Sequence, residues 1–357
     1  MSDVQLITGG RVHAGWKSLR VQRGMDQCSG SFELGVSELW GGRDSTRSIA
    51  PGETCRLLVD GESVVTGYVD EVTIDYSASA HQVDVRGRDK TADLVDCSAI
   101  RGTGQWQGVK LEAIAQQLAA PFGIRVTAAV DTGKAFPNFA LQEGETVFEA
   151  IERMARIRAL LLQTDGAGNL VITRAGLNRV STALRLGENI LQARAGLNLR
   201  DRFSQYVFKG QAAGGDFFSG TTVSQIKAVA TDPGVSRYRP LVVVAEAQDV
   251  AASLTQRAQW EANVRAARST EVSITVQGWH HADGLWQPNT IVAVRHAALR
   301  LDDELLIKSV TFTLDDNGTT TQLSLTRADA FTLLPLLESA GTAEPFWGLP
   351  KPAVEGK

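Results

Sequence analysis

Residues 72–89, VTIDYSASAHQVDVRGRD, contain two runs in which apolar and polar residues alternate, joined by a short polar stretch. Alternation with a period of two is typical of a β-strand that buries one face. The segment aligns without a gap with residues 312–329, FTLDDNGTTTQLSLTRAD, and this alignment places Asp89 over Asp329. Because an internal repeat indicates duplicated structure, we expect two related β domains, one near each end of the chain.

The rest of residues 1–95 continues the alternating pattern. It includes the runs SLRVQRG, SFELGVSE and CRLLVDGESVVTGYV, with Gly, Asp and Ser at the breaks. Asp60-Gly61 lies between two apolar runs, which is the strongest short signal for a β-hairpin. We therefore expect an antiparallel β-barrel or sandwich as the first domain.

The pattern changes after this domain, and residues 96–180 are expected to form a small α+β domain. Leu111, Ile114, Ala115 and Leu118 recur at helical spacing, and Pro121 with Gly123 follows that run. Thr146 and Glu149 have the spacing of a capping box, which predicts the start of a second helix. The following segment, ALLLQTDGAGNLVITRAG, reads as two strands around a glycine-rich turn.

Strands resume in the last part of the chain. Residues 181–210 and 270–332 are assigned to the second β domain, residues 211–269 to an inserted α/β segment, and residues 333–357 to a C-terminal tail. A long helix is predicted over 249–268, with Leu254 and Ala258 on one face and Trp260, Val264 and Ala267 on another. Two apolar stripes predict that this helix is covered from two sides.

Composition excludes several classes of function. The 357 residues carry a net charge of −4 and contain no block of five basic residues, which argues against binding nucleic acid or an anionic membrane. The start of the chain does not resemble a signal peptide, and no apolar run approaches the ~18 residues that span a bilayer. Three cysteines without short spacing favour a reducing compartment over a disulfide framework.

No motif in the chain predicts catalytic, cofactor-binding or metal-ligating residues. His280-His281 is the only histidine cluster, and adjacent residues of a strand face opposite sides, so a polar turn between Trp279 and Trp286 is favoured over a metal site. The acidic stretch at 315–318, DDNG, is interpreted as a tight hairpin because the glutamate of a calcium loop is missing. RGTGQWQG, residues 101–108, lacks the spacing of a phosphate-binding loop and is predicted to be a connector.

Five segments together resemble the baseplate hub family of phage Mu and its relatives: GYVDEVTID, GRDKTADLVDCSA, ETVFEAIERMARIRALLL, LRDRFSQYVFKG and TDPGVSRYRPLVVVAEA. The resemblance runs from about residue 4 to 335 and implies a structural virion protein of a contractile tail baseplate, assembled in the host bacterial cytoplasm. It implies an α+β, mainly β fold, in which two related antiparallel β-barrel domains with smaller α/β domains between them assemble as a trimeric ring. The expected partners are two further copies of the chain, the threefold central spike, the sixfold tail tube and other baseplate proteins. No cofactor and no membrane anchor are expected, and nucleic acid would enter only as DNA passing through the channel.

Two other functions remain as alternatives. The first is a tail-tip cell-wall hydrolase hosted by residues 99–180, and the second, less favoured, is a carbohydrate-binding module on the β domains. For the hub, the helix at 249–268 and the residues Trp16, Trp279 and Trp286 are candidate contacts, although each is more often part of the intrachain core.

The charged run at 85–98, VRGRDKTADLVDCS, raises the question of a reaction centre. Since Asp89 lies where the first β domain ends, we interpret it as a residue that caps the following turn by accepting backbone N–H groups. Arg86, Arg88 and Lys90 are then expected on the wall or rim of the β domain.

Overall fold

The computed structural model describes residues 3–37, 49–77, 81–210, 226–244 and 251–332. The predicted tail at 333–357 and part of the inserted segment lie outside these residues. The protein is mainly β, and most of its strands belong to one large, largely antiparallel sheet. None of the helices in the described part of the chain is long and apolar enough to cross a membrane.

In the described part of the chain, seven strands precede the first helix. They are β1 (Val4–Thr8), β2 (Arg11–His13), β3 (Ser18–Gly24), β4 (Ser31–Ser37), β5 (Thr54–Val59), β6 (Glu62–Tyr76) and β7 (His81–Asp89). Their order in the sheet is β3-β4-β7-β6-β5-β1-β2. The predicted hairpin at Asp60-Gly61 is confirmed: both residues have positive φ, 49° and 84°, and Val59 pairs with Glu62.

The middle of the chain combines short helices with two small sheets. Its elements are α1 (Ala92–Asp96), β8 (Gln105–Val109), α2 (Leu111–Ala119), β9 (Val126–Ala128), β10 (Phe136–Ala140), α3 (Val147–Ile157), β11 (Leu161–Thr164) and β12 (Leu170–Thr173). The capping box of α3 is confirmed, since Thr146 Oγ1 accepts from Glu149 N at 3.2 Å and Glu149 Oε2 accepts from Thr146 N at 2.8 Å. The connector predicted at 101–108 is wrong in its second half, where β8 pairs with β10.

The last part returns to the large sheet after an excursion. The strands and helix are β13 (Asn178–Arg179), β14 (Leu184–Arg185), β15 (Ile190–Leu197), β16 (Gln205–Gly210), β17 (Ile226–Thr231), β18 (Pro240–Val244), α4 (Ala251–Arg268), β19 (Thr270–Gln277), β20 (His280–His281), β21 (Gly284–Leu285), β22 (Thr290–His296), β23 (Leu301–Asp315) and β24 (Gly318–Thr326). Strand β16 pairs with β17 and β18 in a separate three-stranded sheet. The others extend the large sheet in the order β15-β19-β24-β23, with β22 also on β23, except for the small β20-β21 hairpin.

Helix α4 is buried from two sides, as its two apolar stripes predict. Leu254 and Ala258 pack with Tyr206 and Phe208 of β16 in one apolar cluster. On the other side, Val264 and Ala267 are 3% and 1% exposed, and Trp260 Nε1 donates to the carbonyl oxygen of Thr332 at 2.5 Å. The helix therefore joins the three-stranded sheet to the end of the described chain.

The two sets of strands share one order of pairing. In the first set the order is β3-β4-β7-β6-β5, and in the second it is β15-β19-β24-β23-β22. The long strands β6 and β23 each have 15 residues, and each carries a β-bulge against its hairpin partner. The internal repeat is therefore present in the topology as well as in the sequence.

The pairing registers correct the alignment of the repeat by two residues. The bulge falls between Val69 and Glu71 in β6 and between Ile307 and Ser309 in β23, so equivalent positions are 238 residues apart, as 307 minus 69 shows. The correspondence of Asp89 with Asp329 is therefore wrong, because Asp89 ends β7 whereas Asp329 lies in a short 3-10 helix beyond β24. A shift of two residues keeps every side chain on the same face of a strand, so alternation alone could not reveal it.

Candidate assembly interface

The two sets of strands are joined within the chain by the pairing of β3 with β23. Six residue pairs connect them in antiparallel register, from Leu19 opposite Leu314 to Gly24 opposite Ser309. At the centre, Val21 lies opposite Phe312, and both side chains are fully buried. Because the apolar core continues across this junction, the sheet holds the two halves as one packed unit.

Asp89 lies at a second junction, where the first set of strands meets the middle of the chain. Its Oδ2 accepts from Gly30 N at 2.5 Å and its Oδ1 accepts from Thr91 N at 2.9 Å. The hydroxyl of Thr91 also donates to Asp89 Oδ1. Burial raises the pKa of the Asp89 carboxyl, and these hydrogen bonds oppose that rise. The predicted capping role of Asp89 is confirmed.

Close to Asp89, the middle of the chain contacts the first set of strands through backbone carbonyl oxygens. Arg23 Nη2 donates to the carbonyl oxygen of Thr164 at 3.3 Å, and burial lowers the pKa of this guanidinium. The hydroxyls of Ser63 and Thr66 donate to the carbonyl oxygen of Gly166 at 2.9 and 3.0 Å. Residues 85–98 lead from β7 into α1, and Asp89 within them lies beside these contacts through its hydrogen bonds with Gly30 and Thr91.

Arg86 and Arg88 lie on the outer face of β7, on the wall of the sheet as predicted, and Lys90 is half-buried in the turn that follows β7. Arg86 Nη2 forms an ion pair with Glu33 at 2.8 Å, and Arg88 bridges Asp70 at 2.8 Å and Asp96 at 2.9 Å. These side chains are 40 to 52% exposed, so the pairs stabilise the protein only slightly.

The three tryptophans named from the sequence belong to the intrachain core. Trp16, Trp279 and Trp286 are 7%, 1% and 2% exposed. The ring of Trp279 packs edge-on against Phe312, with 6.3 Å between the centroids. All three tryptophans belong to the apolar core that both sets of strands share, so their rings are covered within the chain.

The polar candidates also have structural roles. His280 and His281 form a strand of a small hairpin, and the ring of His281 lies 4.5 Å from that of Trp286. Burial lowers the pKa of His281. Asp315 pairs with Gly318 and its Oδ1 accepts from Asn317 N at 2.8 Å, which is the predicted tight hairpin. Among the residues that the structure describes, no group of three or more metal-ligating side chains converges.

The sequence gives no sign of which strands have open edges, and the structure identifies two of them. In the described ranges β15 pairs only with β19, and residues 71–75 of β6 pair only with β7. Apolar side chains are exposed along both edges: Ile74 is 61% and Leu197 78% exposed. Open strand edges with exposed apolar side chains are typical of surfaces that bind another chain.

A curated relative covers this architecture almost completely. The chain is 38% identical over 345 residues to the baseplate hub protein gp44 of Escherichia phage Mu, which spans 94% of this chain and 90% of that protein. The chain belongs to the family of Mu baseplate hub proteins. The hub also matches four family profiles in order along its length. These are Mu phage baseplate assembly protein GpP-like, N-terminal (3–89), baseplate hub protein gp44-like, second domain (91–174), tail protein NMB1110-like, third domain (202–260), and Mu phage baseplate assembly protein GpP, fourth domain (250–334).

Two solved structures share the fold of the hub. The 43 kDa tail protein of prophage MuSo2 from Shewanella oneidensis is 36% identical with a TM-score of 0.84, covering 93% of the hub and 100% of that chain. The tail protein from Neisseria meningitidis MC58 is 25% identical with a TM-score of 0.76, covering 93% of the hub and 99% of that chain. The hub is therefore a structural component of the tail baseplate of a virion. Membership of this structural family decides against the cell-wall hydrolase.

Proposed function

We propose that the hub forms a homotrimeric ring that adapts a threefold central spike to a sixfold tail tube in a contractile phage tail. The observation that carries this proposal is the repeated strand order, β3-β4-β7-β6-β5 and β15-β19-β24-β23-β22, within a single chain. Three such chains would present six similar sheet units around one axis.

Duplication within a trimer reconciles the two symmetries. A ring with six similar units can meet a sixfold tube on one face while its true threefold symmetry meets the spike on the other. Contacts between unlike surfaces of successive subunits generate a closed ring when the rotation between them returns to the start. The net charge of −4 disfavours strong attraction of the ring to DNA, which would then pass through the channel without specific binding.

The two β units are proposed to be related β-barrel domains. Their predicted bounds are 1–95 for the first and 181–210 with 270–332 for the second, with the α+β domain at 96–180 and the α/β segment at 211–269. The pairing of β16 with β17 favours moving one boundary to a position before Gln205, so that β16 joins the α/β segment. The profile match at 202–260 supports the same division.

Mass and shape of the purified full-length protein test this proposal. Light scattering coupled to size exclusion at micromolar concentration should give three times the mass of the 38.4 kDa chain. Averaged electron-microscope images should show a ring with six lobes and a central hole. A protein that stays monomeric over this range, or a ring with another number of subunits, would contradict the proposal.

A further inference from the structure

We propose that β15 of one hub subunit pairs antiparallel with residues 71–75 of β6 in a second copy of the chain. This pairing deepens the proposed trimer, on which it rests, by specifying the contact between neighbouring subunits. It repeats between chains the junction that β3 and β23 form within one chain.

Strand β15 is the equivalent of β3, as the registers of both sets show. Val21 of β3 lies opposite Phe32, which in turn lies opposite Gly87. In the second set Ala195 of β15 lies opposite Val272, which lies opposite Leu325, the equivalent of Gly87 at 238 residues. Ala195 therefore occupies the position of Val21, but its strand has no neighbour on the outer side among the described residues.

Residues 71–75 of β6 are the equivalent of the part of β23 that receives β3. Ile74 occupies the position of Phe312, and its hairpin partner Val83 is buried. Directly opposed residues in an antiparallel pair share one face of the sheet, so Ile74 points toward the core side as Phe312 does. Phe312 is 1% exposed because β3 covers that edge, whereas Ile74 is 61% exposed.

The register between subunits follows from the register within the chain. Phe312 pairs with Val21, so Ile74 of the second copy should lie opposite Ala195. The same transfer places Asp75 of the second copy opposite Arg194, and Val72 opposite Leu197.

The side chains on the two edges are complementary in charge and size. Asp75 and Arg194 have opposite charges, and both side chains are exposed in the single chain. Ala195 is small where Ile74 would cover it, and Leu197, which is 78% exposed, would be covered by Val72. Cross-strand pairs of opposite charge and of apolar residues are the pairs that stabilise antiparallel sheets.

This geometry can also close into a ring. Each β unit gives its outer strand, β3 or β15, to the long strand of the next unit, β23 or β6. Junctions inside chains would then alternate with junctions between chains, and three chains would supply six. Because the two contacting surfaces of a subunit differ, the association is head to tail, which is the arrangement that cyclic rings need.

Charge reversal tests the register directly. Arg194→Asp and Asp75→Arg each place like charges opposite one another in every junction, and we expect each to weaken association of the subunits by about tenfold or more. The double variant restores an opposite pair and should recover the trimer. Glu62→Arg, on the exposed start of β6, and Arg11→Asp on β2 are matched controls that should leave the trimer intact.

A disulfide trap gives a second readout. Ile74→Cys with Ala195→Cys, in a Cys97→Ser background, should form covalently linked species of up to three chains on mild oxidation. The control pair Ile74→Cys with Leu191→Cys, an exposed residue of β15, is displaced by four residues, about 13 Å along the strand, and should not link.

The outcomes separate this pairing from the trimer itself. A wild-type trimer that both single reversals leave unchanged, or that the Ile74 and Ala195 cysteines fail to link, overturns the pairing and leaves the trimer standing. A wild-type protein that is monomeric at every concentration overturns both. Loss of the trimer in each single reversal with recovery in the double variant supports the pairing.

Discussion

Ile74 and Phe312 occupy equivalent positions in the long strands β6 and β23, yet Ile74 is 61% exposed and Phe312 is 1% exposed. The difference arises because β3 covers the edge of β23, whereas the matching edge of β6 has no neighbour within the described chain. The edge of β23 is thus covered within the chain, whereas the matching edge of β6 is the one that we propose to pair with a second copy.

Truncation at these two positions should separate folding from assembly. Phe312→Ala should lower the free energy of unfolding by about 3 to 5 kcal/mol, because it leaves a cavity in the core. Ile74→Ala should change the stability of the isolated subunit by less than about 1 kcal/mol. Urea unfolding at protein concentrations too low for the subunits to associate measures both changes. An equal loss of stability in the two variants would contradict the difference in burial between Ile74 and Phe312.

Asp89 should matter for stability while Asp329 should not. Asp89→Ala removes the acceptor for Gly30 N and Thr91 N in a buried place, which should cost about 2 to 4 kcal/mol. Asp329 is exposed, and Asp329→Ala is expected to stay within about 0.5 kcal/mol of wild type. Thermal unfolding measures the stability of the two variants. A similar loss of stability in both would contradict the conclusion that Asp89 and Asp329 are not equivalent.

The carboxyl of Asp89 should also give the stability a specific pH dependence. Its pKa is raised by burial, so the folded protein binds the proton more readily than the unfolded chain. The contribution of Asp89 to the free energy of unfolding therefore increases as the pH falls from the raised pKa of the folded protein to the ordinary pKa of the unfolded chain. It is lost as the pH rises through the folded pKa. Asp89→Asn removes this titration, so the free energy of unfolding of wild type minus that of the variant should be larger at acidic than at neutral pH. A difference that grows with rising pH would contradict the sign.

Much of the fold could be predicted because it depends on local patterns. The period-two runs of β6 and β7, the turn at Asp60-Gly61 and the capping box of α3 each involve neighbours in sequence, and all are present in the structure. The β8 strand was missed because its short run, QWQGV, is interrupted by a glycine and buries little of its surface. Its partner lies about thirty residues later, beyond the reach of any local pattern.

The candidate interface could not be predicted because an edge is a property of the whole sheet. Ile74 and Phe312 are both apolar residues on the core side of alternating strands, and nothing in either run shows whether a neighbour covers it. Trp16, Trp279 and Trp286 were candidate contacts because tryptophan is enriched at interfaces, but tryptophan is also highly buried on average, and all three lie in the core. The resemblance in five segments indicated the family, whereas the residues at the contact required the pairing registers.

The cysteines should differ sharply in reactivity. Burial raises the pKa of the Cys28 and Cys55 thiols to about 12, so neither forms the reactive thiolate at neutral pH. Cys97 is partly exposed. A chromogenic thiol reagent should therefore modify one thiol rapidly in the native protein and all three after unfolding in guanidinium. The rapidly modified thiol should be absent in a Cys97→Ser control, which identifies it as Cys97. Fast labelling of two thiols in the native protein would contradict the burial of Cys28 and Cys55.

The contact between the β11-β12 turn and β6 includes Gly166, which has no room for a side chain. A Cβ at Gly166 would lie 2.1 Å from the carbonyl oxygen of Ser63, far inside contact distance, and neither atom can move without shifting a backbone. Gly166→Ala should therefore push the β11-β12 turn off β6 and break the hydrogen bonds that Ser63 and Thr66 donate to it. We expect a loss of about 1 to 3 kcal/mol in unfolding free energy.

Gly196→Ala is the matched control for this substitution. Its Cβ would find the nearest atom, the carbonyl oxygen of Glu271, at 3.7 Å, which is ordinary van der Waals contact. The control should leave the unfolding free energy of the subunit within about 0.5 kcal/mol of wild type. Hydrogen exchange adds a local test, since Gly166→Ala should increase exchange at residues 165–169 and along the first half of β6, while Gly196→Ala should not. If both variants have the same free energy of unfolding and exchange at residues 165–169 is unchanged, the close approach of Gly166 to Ser63 does not hold the β11-β12 turn against β6.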